Sequence, residues 1–430
     1  MSVTTAPEAI VPVTAEPTKF WTSGRRAGAI FVALGGLALI FWGPLAGGPQ
    51  SGPSSHARFN AGQDLLAHHI AIPSRLGAIV FAAIAVVCGI VLLSRAVVPF
   101  RRTLIGIALV CLVIAFLCWQ IKGQTMPLGY AASQTVFFAL PLVYGALTGV
   151  IGERSAVINV AIEGQLLMGA FLAALVGTMA ASPWAGLVAA GFGGVLVAAL
   201  LAVLSIKYLV DQVVLGVVIN LLVLGITSYM YSQLMQPHSE SFNSAPPLPT
   251  WNIPVLEKIP IIGPALFQQN ILTYLIIVLV IVVHIGLFHT RWGLRTRAVG
   301  EHPAAADTVG IKVNATRYRN VLLAGVIAGV GGAYFTIGSG ANFTQNMTVG
   351  KGFIALAAVI FGRWSPVGAT LAALLFGFTT YLGDFLPTIG SSIPSAFLSM
   401  LPYIATIVAV AGLVGRVRAP AADGKPYVKG

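Results

Sequence analysis

The chain has 430 residues, of which 57% are apolar and only 8% carry charge. Soluble domains average about 25% charged residues, so this chain cannot cover a water-facing surface of its own size. Apolar runs of about 18 residues or more recur along its length, the pattern of a polytopic helical membrane protein. A transmembrane barrel is excluded, because its strands alternate and are only about 10 residues long. The net charge of +12 sits at the ends of apolar runs, where the positive-inside rule puts it, and not on a basic domain; a nucleic-acid partner is rejected.

Residues 1–24 are polar, include Pro7, Pro12 and Pro17, and lack the apolar core of a signal peptide; they read as a disordered cytoplasmic tail. Apolar segments then fall at about 27–46, 76–94, 103–121, 134–151, 157–180, 184–206, 212–234, 271–289, 320–338, 352–362, 366–383 and 398–414. Segment 352–362 is too short to cross a bilayer as a straight helix and reads as a half-helix buried within protein. Cys88, Cys111 and Cys118 all lie inside apolar runs. Cys111 and Cys118 stand about 10 Å apart along one helix, beyond the roughly 7 Å reach of a disulfide, so the cysteines read as packing residues.

With a cytoplasmic N-terminus, 19 of the 24 Lys and Arg residues fall inside, and Arg58, Arg75, Lys122, Lys258 and Lys351 fall outside. This places both termini in the cytoplasm of a multi-pass membrane protein surrounded by lipid. The long loops 47–75 and 235–270 then face outward. The second is proline-rich, and its Trp251 either sits at the lipid interface or meets a partner.

No phosphate-binding loop is present: Gly350-Lys351-Gly352 lacks the first glycine and the hydroxyl residue of that motif. His68 and His69 are adjacent and diverge, and His284 and His289 are five positions apart, so none has metal-ligand spacing and no cofactor is expected on this chain. Glu163 is the exception among the acids, embedded in an apolar run about 10 Å along a helix that enters near Ala156. A carboxylate at such depth costs roughly 3 kcal/mol on insertion scales unless it is paired or wet. Asn159, four positions earlier, would share its face. The pair either lines a substrate pathway or fixes a helix junction by accepting hydrogen bonds. Asn220 is a second intramembrane candidate, with interhelical hydrogen bonding as its alternative role. Glycines cluster inside the spans, as in Gly145-x-x-x-Gly149, Gly325-x-x-x-Gly329, Gly191-x-Gly193-Gly194 and Gly331-Gly332, which predicts close helix packing.

The inner loop from Arg291 to Arg319 has another character. Pro303 can open a short helix that Ala304 to Asp307 continue and Gly310 ends. Flanked by basic residues, that helix suits docking of a cytoplasmic protein, a solvated loop, or contact with anionic headgroups. Ala304-Ala305-Ala306, with Gly310 after three more residues, resembles the coupling motif of ABC importer permeases, in which a Glu-Ala-Ala triplet precedes a glycine; Ala304 here replaces the Glu. The longer string Gly293-Leu294-Arg295-x-Arg297-Ala298-x-Gly300-Glu301-x-Pro303 is similar to the permeases of ribose, branched-chain amino acid and nucleoside importers. Glu153-Arg154-Ser155, Val157-Ile158-Asn159, Ile162-Glu163-Gly164, Asn346-Met347-Thr348 and Gly352-Phe353-Ile354-Ala355 resemble the nucleoside branch that works with a basic-membrane-protein lipoprotein.

The resemblance spans about residues 130–415. It implies an all-α, type II ABC importer-like bundle of 10–12 membrane segments. The implied organisation is a tail at 1–24, extra segments at 25–125, a permease domain at 126–415 and a cytoplasmic tail at 416–430. It further implies a permease subunit without enzymatic activity, paired with a second related permease and with an extracytoplasmic substrate-binding lipoprotein. Separate ATPase subunits would use the ATP and Mg. Arg297, Glu301, Ala304, Ala305, Ala306 and Gly310 would form the ATPase contact, and Asn159, Glu163 and Asn220 would line the pathway. The implied cargo is a nucleoside or related nucleobase compound; riboflavin, a sugar or a branched-chain amino acid is the alternative, and an ion-coupled transporter a more distant one.

Overall fold

The computed structural model describes residues 23–42, 56–60, 69–94, 100–390, 393–394, 396–397, 400, 403–404 and 418–428. Most of the predicted N-terminal tail and nearly all of the predicted segment 398–414 lie outside the described residues. Among those described, ten helices are long and apolar enough to cross a membrane, with one shorter apolar helix between them. The chain divides into two compact units, residues 1–48 with 75–117, and residues 49–74 with 118–430.

The first unit holds α1 (Ser23–Trp42), α2 (Ser74–Ser94) from Arg75 onward, and most of α3 (Arg101–Gln120). Small residues bring these helices together: Ala38, Ala82 and Ala115 form a buried cluster. A Cβ on Gly28 would lie 2.6 Å from the Gly89 carbonyl oxygen. Cys88 and Cys111 in this unit, and Cys118 in the other, are buried free thiols.

In the second unit, β1 (His56–Asn60) pairs antiparallel with β2 (His69–Pro73) and parallel with β3 (Thr125–Pro127). Seven spanning helices follow. They are α4 (Leu128–Glu153), α5 (Ile162–Met179), α6 (Pro183–Ala202), α7 (Gln212–Met230), α9 (Ile271–His289), α12 (Val313–Ala333) and α14 (Pro366–Thr388). Between α7 and α9, a one-turn helix α8 (Ser239–Phe242) leads to the antiparallel pair β4 (Thr250–Asn252) and β5 (Gln268–Asn270). Trp251 lies on β4, half exposed, and its carbonyl accepts the Tyr274 hydroxyl at 2.8 Å. Between α9 and α12 lie α10 (Arg291–Glu301) and α11 (Pro303–Thr308); the short α13 (Lys351–Phe361) precedes α14.

Local chemistry fixes the helix starts. Asp211 accepts the Val213 and Val214 amides at the head of α7, and Asn270 accepts those of Leu272 and Thr273 at the head of α9. Pro183 and Pro366 occupy the first turns of α6 and α14, where a missing N–H costs nothing. The predicted half-helix 352–362 is α13. It packs beside α4, so that Cβ atoms on Gly145 and Gly149 would run into Ala355 and Val359.

Lipid supplies no hydrophobic drive between helices, so association rests on close van der Waals packing. The glycine clusters provide it. Gly194 of α6 meets the backbone of Gly325 and Gly329 on α12, and Gly169 of α5 meets Gly329 from the other side. Buried hydroxyls add specific bonds: Thr148 donates to the Ala324 carbonyl at 3.0 Å, and Tyr144 to that of Leu272 at 2.8 Å.

A Cβ at Gly329 would strike the Ala190 carbonyl oxygen and lie 2.9 Å from the Gly194 nitrogen, whereas one at Gly225 on α7 meets nothing within 4 Å. Gly329→Ala is expected to lower the unfolding temperature of the purified protein, in line with an overpacking cost of about 1–3 kcal/mol. Gly225→Ala should leave it unchanged or raise it by the equivalent of about 0.5–1 kcal/mol. Thermal unfolding in detergent checks both.

Candidate functional site

The chain leaves α4 at Glu153 and becomes helical again only at Ile162. Ile162 abuts Gly145 and Gly149 of α4, which puts the head of α5 roughly 6–12 Å back from the Glu153 end of α4. The amides of residues 154–157 still bond back to the last turns of α4, and beyond them side chains take over the backbone groups of the break. Ile158 N donates to Gln212 Oε1 at 2.7 Å, and Asn220 Nδ2 donates to the Val160 carbonyl at 2.9 Å. Gly164 N donates to Asn220 Oδ1 at 2.8 Å. Asn220 thus bonds both ways across the break, the interhelical role rather than a free polar surface.

This corrects the expected common face of Asn159 and Glu163. A shared face needs continuous helix from Ala156, but Ala156 adopts φ +63° and Asn159 lies in the break. Asn159 pairs instead with Gln165, its Nδ2 donating to Oε1 at 3.1 Å. Gln165 and Gln212 belong to the junction, although their polar character alone did not distinguish them in the sequence.

Glu163, the second residue of α5, is buried and faces the segment before α13. Its Oε1 accepts the Thr348 hydroxyl at 2.6 Å and the Gly350 amide at 2.8 Å, and its Oε2 accepts the Gly352 amide at 2.5 Å. The carboxylate therefore satisfies first-turn amides of another helix, where negative charge is favourable. Gly350 takes φ +75°, a conformation suited to glycine, and a Cβ on Gly352 would collide with the Glu163 backbone. Lys351 is the first residue of α13, with Nζ 5.5 Å from the Phe335 ring centre.

At the Glu153 end of α4, the sequence motifs converge. The Trp364 indole donates to Glu153, and Arg154 Nε donates to the Trp364 carbonyl at 2.9 Å. α10, which the sequence reading left as basic flank, is helical; its Gly293 and Gly300 let it press against backbone, Gly300 against Arg154. Two bonds tie α10 to α12, Trp292 Nε1 to Asn320 Oδ1 (2.9 Å) and Asn320 Nδ2 to Thr296 Oγ1 (3.0 Å), and within α10 Thr296 Oγ1 donates to the Trp292 carbonyl (2.9 Å).

α11 begins at Pro303, and Gly310 at φ +82° closes the turn, with Ile311 N donating to the Ala306 carbonyl at 3.0 Å. Ala304 and Ala305 are exposed, as are Leu294 (63%) and Val309 (74%). Ala306 turns inward onto Val299 and Val313. Arg297 lies over the Phe288 ring at 5.4 Å, sharing it with Arg154 at 5.7 Å.

The C-terminal residues, expected only as a tail, are docked on this segment. Ala422 N donates to the Gly300 carbonyl at 2.9 Å and Ala421 N to Glu301 Oε2 at 3.2 Å. Buried Arg317 donates to the Lys425 carbonyl at 3.1 Å, and Tyr427 packs on the Val299, Ala306 and Val313 cluster. Asp423 has one carboxylate oxygen, Oδ1, buried without a hydrogen-bond partner. Burial pushes its pKa up to about 7, against the opposing pull of the Gly424 amide and the Arg317 charge.

The described residues form a polytopic helical bundle with a re-entrant break, a short half-helix and a loop whose short helices expose apolar side chains, an architecture consistent with a membrane permease. The chain belongs to the family described as branched-chain amino acid transport system, permease component, which matches residues 131–414. It is 40% identical over 306 residues to the guanosine ABC transporter permease protein NupQ of Bacillus subtilis, covering 69% of this chain and 95% of that protein. It is likewise 40% identical to the nucleoside ABC transporter permease protein NupC of Lactococcus lactis, over 68% of this chain and 95% of the relative. A putative glucose ABC transporter permease protein of Haloferax volcanii, TsgC13, is 31% identical over 64% of this chain and 88% of its own length. No solved structure matches the chain. It is a multi-pass membrane permease subunit rather than an enzyme.

Two outcomes follow from the geometry. Glu163→Gln leaves a buried donor facing donors, so the purified protein should lose about 1–3 kcal/mol of stability, read as a lower unfolding temperature. Because the Asp423 pKa is raised when docked, docking binds a proton. The resulting stabilisation is full below about pH 4 and fades as pH rises through about 7. A spin label at Lys425→Cys should become more mobile across that range, and Asp423→Asn should flatten the profile.

Proposed function

We propose that this chain is one of the permease subunits of an ATP-driven importer of nucleosides. The observation that carries the reading is the 40% identity to two permeases named for guanosine and nucleoside transport, each matched over 95% of its length. The Haloferax relative named for glucose supports a sugar as the second reading, at lower identity.

The complex would contain a second permease: Bacillus subtilis has both NupQ and NupP, named as guanosine permeases, and this chain is 40% identical to one and 23% to the other. ATP and Mg would bind separate motor subunits beneath it, and an extracytoplasmic lipoprotein would deliver the cargo. Both termini would be cytoplasmic, as the distribution of Lys and Arg favours; the docking of residues 418–428 on the segment that follows α9 is consistent with this.

Motor contact would fall on Ala304 and Ala305 with Leu294 and Val309, an exposed apolar face on a polar loop. Ala306, Arg297 and Glu301 would hold that face in position through the contacts they make within the chain, and Gly310 would close its turn. Closure of the motors would push α10 and α11 as one body, and the Trp292–Asn320–Thr296 triangle would pass the displacement to α12. Alternating access then follows from a ligand that favours one of two conformations. Glu163, Asn159 and Asn220 would act near the pathway as the frame of the junction.

The complex reconstituted in liposomes with radiolabelled guanosine, adenosine, riboflavin and ribose tests the cargo: ATP-dependent guanosine or adenosine uptake is expected, and uptake of ribose alone would overturn the nucleoside reading. Ala305→Arg should insert normally yet lose ATPase co-purification and uptake. Unchanged co-purification would remove the assigned contact.

A further inference from the structure

Pro141 lies midway along α4 and lacks the N–H that the Phe137 carbonyl would otherwise accept. Beside this gap is a cavity of about 90 Å³, room for one flat ring rather than a ring with its sugar. Its α4 wall is Phe137, Phe138 and Pro141; Tyr334, Phe335 and Ser339 form the facing wall, and Lys351 closes one side. The rings of Phe137 and Tyr334 have centroids 5.2 Å apart, and those of Phe137 and Phe138 are 5.4 Å apart, edge to face. Tyr334 opens a π-helical turn, Tyr334–Gly338, at the end of α12, a local form that concentrates at functional sites.

Packing alone would explain the aromatic residues. It does not explain why the lysine, whose ammonium is favoured by the charges of Glu163 and Asp384, lines the cavity with Nζ 5.5 Å from the Phe335 ring centre. The cavity therefore presents three chemistries together. Ring faces are available for stacking. The ammonium donates to an acceptor edge. The Phe137 carbonyl, and the Ser339 hydroxyl whose proton is given to the Phe335 carbonyl at 2.8 Å, accept from ring N–H groups. A flat heteroaromatic ring bearing both carbonyl and N–H groups satisfies all three.

We propose that this cavity is a subsite of the translocation pathway that takes the nucleobase of the cargo, stacked against Phe137 and Tyr334, with Lys351 donating to its acceptor edge. The inference rests on the nucleoside reading above and names where within the membrane the ring is held. The two are separable. If the intact wild-type complex in liposomes imports no nucleoside, the functional reading falls.

If it does import one, 8-azidoguanosine is photolysed with the intact complex and the labelled peptides are sequenced. Label on the peptides holding Phe137 or Tyr334, displaced by guanosine and not by ribose, is expected; label elsewhere, or equal displacement by ribose, overturns the subsite. Lys351→Met should lower maximal guanosine uptake at least tenfold while ATPase co-purification is retained, with Lys351→Arg restoring most of it. Wild-type uptake by Lys351→Met also overturns the proposal.

Discussion

Inside a bilayer, every backbone N–H and C=O outside a helix must find a partner within the protein, and this constraint organises the second unit. The chain breaks helix twice at depth, at 154–161 and before α13, and each break is closed by side chains from the other elements. Asn220 and Gln212 bond the first. Glu163 bonds the second, with both carboxylate oxygens engaged by Thr348, Gly350 and Gly352. The two breaks are therefore one structure: the first places Glu163, and Glu163 anchors the second. A charge that would be expensive in hydrocarbon is stabilised because three donors and a helix N-terminus surround it.

α12 connects this interior to α10 and α11. At one end Asn320 holds α10; in the middle Gly325 and Gly329 admit α5 and α6 at backbone distance; at the far end Tyr334 and Phe335 border the aromatic cavity. Glycine contact leaves little slack, since well-packed interfaces shift between discrete arrangements rather than deforming smoothly. The handle and the cavity thus sit on a single stiff element.

Among the described residues the spanning helices were legible because spans announce themselves by length and hydropathy, and the short helix α13 because it was too short to cross. The glycine pairs were legible as packing, though not their partners. The intramembrane acid stood out as the exception it is, but its face was misjudged. Apolar periodicity cannot show that Ala156 turns left-handed and delays the helix to Ile162. The role of residues 418–428 was invisible for a different reason: Gly300, Glu301 and Arg317 are distant in sequence, and a backbone-to-backbone bond such as Ala422 to Gly300 leaves no mark on residue type.

That distance has a consequence for biosynthesis. Glu301 and its amide partner Ala421 are separated by 120 residues, so α10 and α11 leave the ribosome well before the peptide that buttresses them. At about 5–20 residues per second the interval is on the order of 6–24 s. The surface that α10 and α11 present is thus completed only after residues 418–428 have been made, which couples the shape of this segment to a late stage of synthesis.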